Sequence, residues 1–170
     1  INLLRRGYEK DKEKLESKLS EIENAWNKIE KRYFKKLEEI TKKKIYPERF
    51  ICYITTIGKC PYKPGENWFM TNIFWSIDKI LLAVAHELMH LQFHYYFEKE
   101  LKKKISIKQF HDIKEALTVL LNIEFKNIFR EKDKGYLNHM ELRTFIEKIW
   151  KKEKDFDILL KKCVEWVNKH

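Results

Sequence analysis

Glycine and proline are scarce in this chain, with 4 and 3 among 170 residues. All-β sandwiches and barrels need such residues in the many turns between their strands, so the scarcity argues against those folds. No apolar run approaches the ~18 residues that a membrane-spanning helix requires. Because 44% of the residues are hydrophobic, the chain can bury a core and is not disordered. The length matches one domain, and we predict a mainly helical α+β fold with no membrane partner.

Cysteine is also scarce, and Cys52, Cys60 and Cys163 form an odd set without a CxxC pair. Such a set indicates neither a disulfide framework nor a zinc ribbon. We expect three reduced, buried thiols. The expected localisation is cytoplasmic, and it rests on this cysteine usage alone.

The charge is +10, and its excess is spread unevenly. Residues 1–44 carry 14 basic and 9 acidic residues (+5), residues 45–97 carry 4 of each (0), and residues 98–170 carry 18 and 13 (+5). Lysine interleaved with glutamate is typical of solvated helix faces, whereas nucleic-acid surfaces concentrate arginine. Nucleic acid or another anionic surface is therefore the less favoured partner, and it is kept as an alternative.

An amphipathic seam runs through residues 1–44, which we treat as an N-terminal segment joined to a domain over residues 45–170. The seam consists of Leu15, Leu19, Ile22, Trp26, Ile29, Tyr33, Leu37 and Ile40. Its spacings of three and four residues predict one long helix from about Tyr8 to Lys43. The seam can pack on the rest of the domain, which we prefer, or on a second copy in a homodimer.

Two segments after Pro47 are rich in β-branched and aromatic residues, as strands are. They are Arg49–Ile57 and Asn67–Trp75. The loop between them carries Gly58, Pro61, Pro64 and Gly65. We predict a small antiparallel β-hairpin.

The rest of the chain has helical patterning. Ser76 is a predicted N-cap for a helix from Ile77 to about Leu101, and Ser106 with Gln109 forms a capping box for a helix running to about Arg130. After a turn at 132–135, two more helices are predicted at about 138–151 and 156–168.

The helix after Ser76 contains His86-Glu87-Leu88-Met89-His90, an HExxH motif. Histidines at i and i+4 lie on one helical face, so both rings can bind one Zn²⁺. Glu87 can then take a proton from a water that the metal activates. The alternative is a pair of buried core histidines with Glu87 as their partner.

A catalytic zinc takes three protein ligands and keeps one open position. His94 continues the i+4 series, but on an unbroken helix it lies roughly 6 Å further along the axis than His90. Glu115 on the next helix is the better candidate, with His111 and His94 as alternatives if Glu115 is an ordinary surface residue.

HExxH on one helix, followed by Lys114-Glu115-Ala116-Leu117-Thr118 on the next, resembles the gluzincins, the thermolysin-like zinc metallopeptidases. The likeness covers about Asn67 to Asn122, and the size is similar to the minigluzincins. It implies a zinc held by His86, His90 and Glu115, with a small sheet over the zinc-binding helix.

One position departs from this resemblance. The family usually has an aspartate four residues after the ligand glutamate, whereas this chain has Val119. Asn122 and Asp112 are the candidates to orient a ligand histidine instead.

The resemblance further implies hydrolysis of peptide bonds with Glu87 as general base. The 67–75 strand would hold an extended peptide or protein substrate as the family's edge strand does. Tyr136 and His139 are the candidates to stabilise the oxyanion, with His111 in reserve. The competing expectation is a catalytically silent or latent zinc-binding scaffold.

Overall fold

A computed structural model describes residues 2–56 and 61–170, and the side chains of 12–56 and 61–170. These ranges contain seven α-helices, three strands and two short 3-10 helices, which confirms the mainly helical α+β fold. In chain order they are α1 (Asn2–Asn27), α2 (Glu30–Thr41), β1 (Ile51–Thr55), β2 (Tyr62–Lys63), a 3-10 turn (Pro64–Glu66), β3 (Trp68–Asn72), α3 (Ile77–Leu101), α4 (Ile107–Leu117), α5 (Val119–Glu124), a 3-10 turn (Leu137–His139), α6 (Met140–Glu153) and α7 (Phe156–Val167).

The sheet is mixed, with the strand order β1-β3-β2. The predicted antiparallel hairpin was wrong, because β1 and β3 are parallel, with Ile51 opposite Trp68. The short strand β2 lies between them in sequence and pairs antiparallel to β3. Pro64–Glu66 makes the turn from β2 into β3, and β2 runs opposite to both β1 and β3. Ile57 and Gly58, at the end of the predicted first strand and in its loop, lie outside the described residues.

The N-terminal segment forms two helices rather than the single helix that the seam predicted. Helix α1 ends at Asn27 and α2 begins at Glu30, so the break lies at Lys28 and Ile29, where the seam keeps its alternating spacings of four and three residues. The break allows α1 to pack on α3 while α2 inserts Tyr33 and Leu37 into the core. Leu19 on α1 stays exposed, and pairing with a second copy remains a prediction.

Helix α3 is the centre of the domain, and α1, α4 and β3 all contact it. It is buried around most of its circumference between Ile80 and His94, as expected of a helix that is apolar on several faces. The Ser76 hydroxyl accepts a hydrogen bond from the Lys79 amide, which confirms the predicted N-cap. None of the helices in the described part of the chain is both long and apolar enough to cross a membrane.

The helix after Ser106 begins with the predicted capping box but ends early. Instead of running to Arg130, it breaks at Thr118, continues as α5 and stops at Glu124. The reason is packing, since Phe125 and Phe129 turn inward against Tyr33, with ring centroids 5.2 and 6.1 Å away. Helices α6 and α7 agree with prediction to within two residues.

The cysteines do not all follow the prediction. Cys163 is fully buried in α7, as expected, but Cys52 on β1 is exposed. Cys52 lies on an outer strand of the sheet and lines an open groove together with Ile54 and Phe69. Cys60 lies outside the described residues.

Candidate metal centre

The structure brings His86, His90 and Glu115 together. Their ligand atoms all lie within 4.8 Å of one another. Oε2 of Glu115 is 3.2 Å from Nε2 of His90 and 3.5 Å from Nε2 of His86. Helix α3 presents both rings on one face, and α4 packs against α3 so that Glu115 faces them.

These distances suit a tetrahedral zinc site. With bonds of about 2.0–2.1 Å, neighbouring ligand atoms of a tetrahedron are about 3.3 Å apart. The two measured Glu115–histidine distances lie on either side of that value. A two-histidine, one-carboxylate set is also a ligand set of catalytic rather than structural zinc, because it leaves a coordination position open.

His86 is oriented by a residue that the sequence did not indicate. Its Nδ1 atom lies 2.6 Å from Oδ2 of Asp133, in the loop before α6. This contact turns Nε2 of His86 towards Glu115, the arrangement in which carboxylates commonly fix metal-binding histidines. Asp133 comes 47 residues after His86, so no local spacing could have indicated it.

Asp133 is itself firmly held. Arg143 contacts its Oδ1 at 2.9 Å and donates to its backbone carbonyl at 2.8 Å. Thr118 places its hydroxyl 3.0 Å from the same Oδ1. The side chain of Asn122 bonds both the amide and the carbonyl of Asp133 at 2.8 Å. The residue that orients His86 is therefore held by α5, by α6 and by Thr118 at the junction of α4 and α5.

Burial and hydrogen bonding give the three candidate ligands different charge states without metal. Burial lowers the pKa of His90 to about 3, so its ring is neutral and offers a lone pair. Burial also disfavours charge on His86, but its bonds to Asp133 and Glu115 outweigh that effect and raise its pKa to about 9. Although burial disfavours the Glu115 carboxylate, its contacts with His86, His90 and Lys114 hold its pKa far below the usual range.

Glu87 lies in the wall of a cleft of about 730 Å³ beside His86. Its side chain is buried, and its Oε2 has no hydrogen-bond partner among the described residues. Burial raises its pKa to about 7. A buried carboxylate oxygen without a partner is costly. A metal-held water at the centre would give it the missing partner.

The other sequence candidates lie in different places. His94 is buried, with Nε2 3.1 Å from the Tyr62 hydroxyl and Nδ1 2.9 Å from Glu98. His111 is exposed on α4. Tyr136 lines the same cleft as Glu87, whereas His139 is buried with Nε2 3.0 Å from Asp112.

The two residues suggested to orient a ligand histidine do not do so directly. In the described part of the chain, Asp112 pairs with His139, and Asn122 bonds the backbone of Asp133. Asn122 therefore supports His86 indirectly, by holding the backbone of Asp133. Within the predicted 67–75 strand, β3 is not an edge strand at Trp68 and Phe69, where it pairs with β1 on one side and β2 on the other. From this segment Trp75 lines the cleft, together with Pro61, which directly precedes β2.

Comparison of the chain with protein-family models, with curated proteins and with solved structures finds no match in any of the three.

Proposed function

We propose that this protein is a zinc-dependent peptidase of the gluzincin type. The observation that carries the proposal is the position of Glu115, whose Oε2 lies within 3.5 Å of Nε2 of both HExxH histidines. The donor set, the spacing of the ligand atoms and the unpartnered Glu87 oxygen in the adjoining cleft all suit a catalytic zinc.

A zinc ion at this centre would supply a Lewis acid that polarises a carbonyl group and acidifies water. The protein supplies the proton transfers. Glu87, with a pKa near 7, can accept a proton from water and return it to the departing amine.

Tyr136 is the residue that we propose as oxyanion donor, because it lines the cleft together with His86 and Glu87. His139 has its Nε2 turned to Asp112, away from that role. A peptide in the cleft would meet Trp75 and Lys79 on the α3 side. We also propose a reducing, cytoplasmic setting, which rests only on the cysteine usage.

The first test is the zinc content per chain after exhaustive dialysis. We expect about one zinc in the unaltered protein and almost none in His86→Ala or Glu115→Ala, since two ligands hold zinc poorly. His111→Ala is the matched control, because His111 is on α4 one turn before Glu115 but exposed, and it should retain the metal. An unaltered protein that binds no zinc would overturn the proposal.

The second test separates a peptidase from a silent zinc scaffold. The unaltered protein and Glu87→Gln are incubated with a mixed peptide library, and new termini are identified by mass spectrometry. Cleavage by the unaltered protein and loss of at least about 10²-fold in Glu87→Gln, with zinc retained, is the expected result. Equal zinc content with no cleavage by either protein would favour the scaffold.

A further inference from the structure

Lys114 is a buried lysine next to the candidate metal centre. Its side chain is 2% exposed, and its Nζ lies 2.5 Å from Oε1 of Glu115 and 2.7 Å from the hydroxyl of Tyr62. In the described part of the chain Glu115 is its one carboxylate partner. A buried ammonium is costly unless it is paired, so the lysine and the glutamate depend on each other.

The contact is unusual for two residues that are adjacent on a helix. Side chains at i and i+1 project in different directions and do not normally face each other. Here Tyr62 on β2 holds the lysine side chain towards Glu115. The Tyr62 hydroxyl accepts a hydrogen bond from Nζ of Lys114, and Nζ lies 4.7 Å from the centre of the tyrosine ring. Tyr62 is fixed in turn by His94, 3.1 Å from its hydroxyl.

As a result, the two oxygens of the Glu115 carboxylate have different partners. Oε1 is bound by Lys114, and Oε2 faces the two histidines. A free carboxylate can bind a metal through one oxygen or through both. With Oε1 held by an ammonium group, one oxygen is left for the ion.

We propose that Lys114 is a positioning residue that restricts Glu115 to a single ligand atom. The inference rests on the proposed zinc centre and deepens it. When Glu115 is restricted to one oxygen, the protein offers the metal three ligand atoms. The fourth position then remains open to water and to the carbonyl oxygen of a substrate, which catalytic zinc requires.

The test uses cobalt(II) in place of zinc, because the intensity of its visible absorption reports coordination geometry independently of activity. The unaltered protein should show the strong absorption of a four-coordinate ion. Lys114→Met frees Oε1 and should keep about one cobalt while its molar absorption falls about twofold or more. Lys114→Arg keeps a charged donor and should retain the strong spectrum, as should Lys108→Met, an exposed lysine on the same helix.

Three results would overturn the inference: a Lys114→Met spectrum like that of the unaltered protein, a weak spectrum in the unaltered protein, or a folded Lys114→Met that has lost its cobalt. If the unaltered protein binds no cobalt, the proposed metal centre itself is wrong. Should Lys114→Met fail to fold, zinc X-ray absorption of the unaltered protein decides. Four nitrogen or oxygen neighbours at about 2.0 Å support one-oxygen binding, and a fifth neighbour contradicts it.

Discussion

Nδ1 of His86 lies 2.6 Å from Oδ2 of Asp133, so a loop 47 residues away sets the direction of the first HExxH ring. The contact joins α3 to the segment between α5 and α6. Helix α3 is therefore not a self-sufficient site, and the orientation of His86 depends on a loop held by Arg143, Thr118 and Asn122.

Replacing Asp133 should weaken metal binding without removing a ligand. We expect Asp133→Asn to lower zinc affinity about 10–100-fold, because the neutral amide orients and polarises His86 less well. Competition with a chromophoric chelator measures the affinity. Asp157→Asn, on the exposed face of α7, is the control and should bind zinc like the unaltered protein. Unchanged affinity in Asp133→Asn would mean that His86 is oriented by packing alone.

Gly135 permits the turn that brings Asp133 and Arg143 together. Its φ is +62°, and a Cβ there would lie 2.7 Å from Cζ of the Arg143 guanidinium. We expect Gly135→Ala to lower the free energy of unfolding by about 1–3 kcal/mol through backbone strain and displacement of Arg143. Gly65→Ala is the matched control, since nothing lies within 4 Å of its Cβ position. Urea unfolding of both variants provides the comparison, and equal stabilities would contradict this account.

Tyr33 joins α2 to α3, the helix that carries the HExxH motif. Its fully buried hydroxyl donates to the Ala85 carbonyl at 2.7 Å, one residue before His86. Tyr33→Phe should therefore cost about 1 kcal/mol of unfolding free energy. Tyr53→Phe, at an exposed ring on β1, should cost almost nothing. Thermal unfolding distinguishes the two, and a neutral Tyr33→Phe would show that packing of the ring suffices.

Cys163 should make stability fall at alkaline pH. Burial raises the pKa of its thiol to about 12, whereas a thiol in the unfolded chain titrates near about 8.5. Between these two pKa values the thiol is protonated in the folded state but ionised in the unfolded state. The stabilisation that comes from the buried neutral thiol is therefore complete below about pH 8.5 and is lost as the pH rises. Burial also raises the pKa of Tyr33, which acts in the same direction above about pH 10.

The measurement compares the unaltered protein with Cys163→Ala at two pH values. Between pH 8 and about 10.5 the free energy of unfolding should fall by about 2.5 kcal/mol more in the unaltered protein. The cavity left by the variant lowers stability at both pH values alike, so it does not affect this difference. Parallel pH profiles would show that the thiol titrates normally.

Local features were predicted well from the sequence. The N-cap of α3 and the capping box of α4 follow from residues three positions apart, and both are present. The histidine pair follows from four-residue spacing on one helix. Predictions that extended a pattern beyond its local reach were less accurate: the N-terminal seam did not reveal the break at Ile29, and the strand-like segments did not reveal their relative direction.

Local sequence patterns suffice to predict a helical α+β chain in which one helix presents two histidines and a glutamate. Helical geometry dictates those positions from covalent spacing alone. The tertiary structure alone decided that β1 and β3 run parallel, that Asp133 orients His86, and that Lys114 holds one oxygen of Glu115. These contacts join segments that no repeat or spacing connects, or neighbours that a helix alone would keep apart. They exist because burial of the core fixes how α3, α4, β2 and the 125–136 loop pack together.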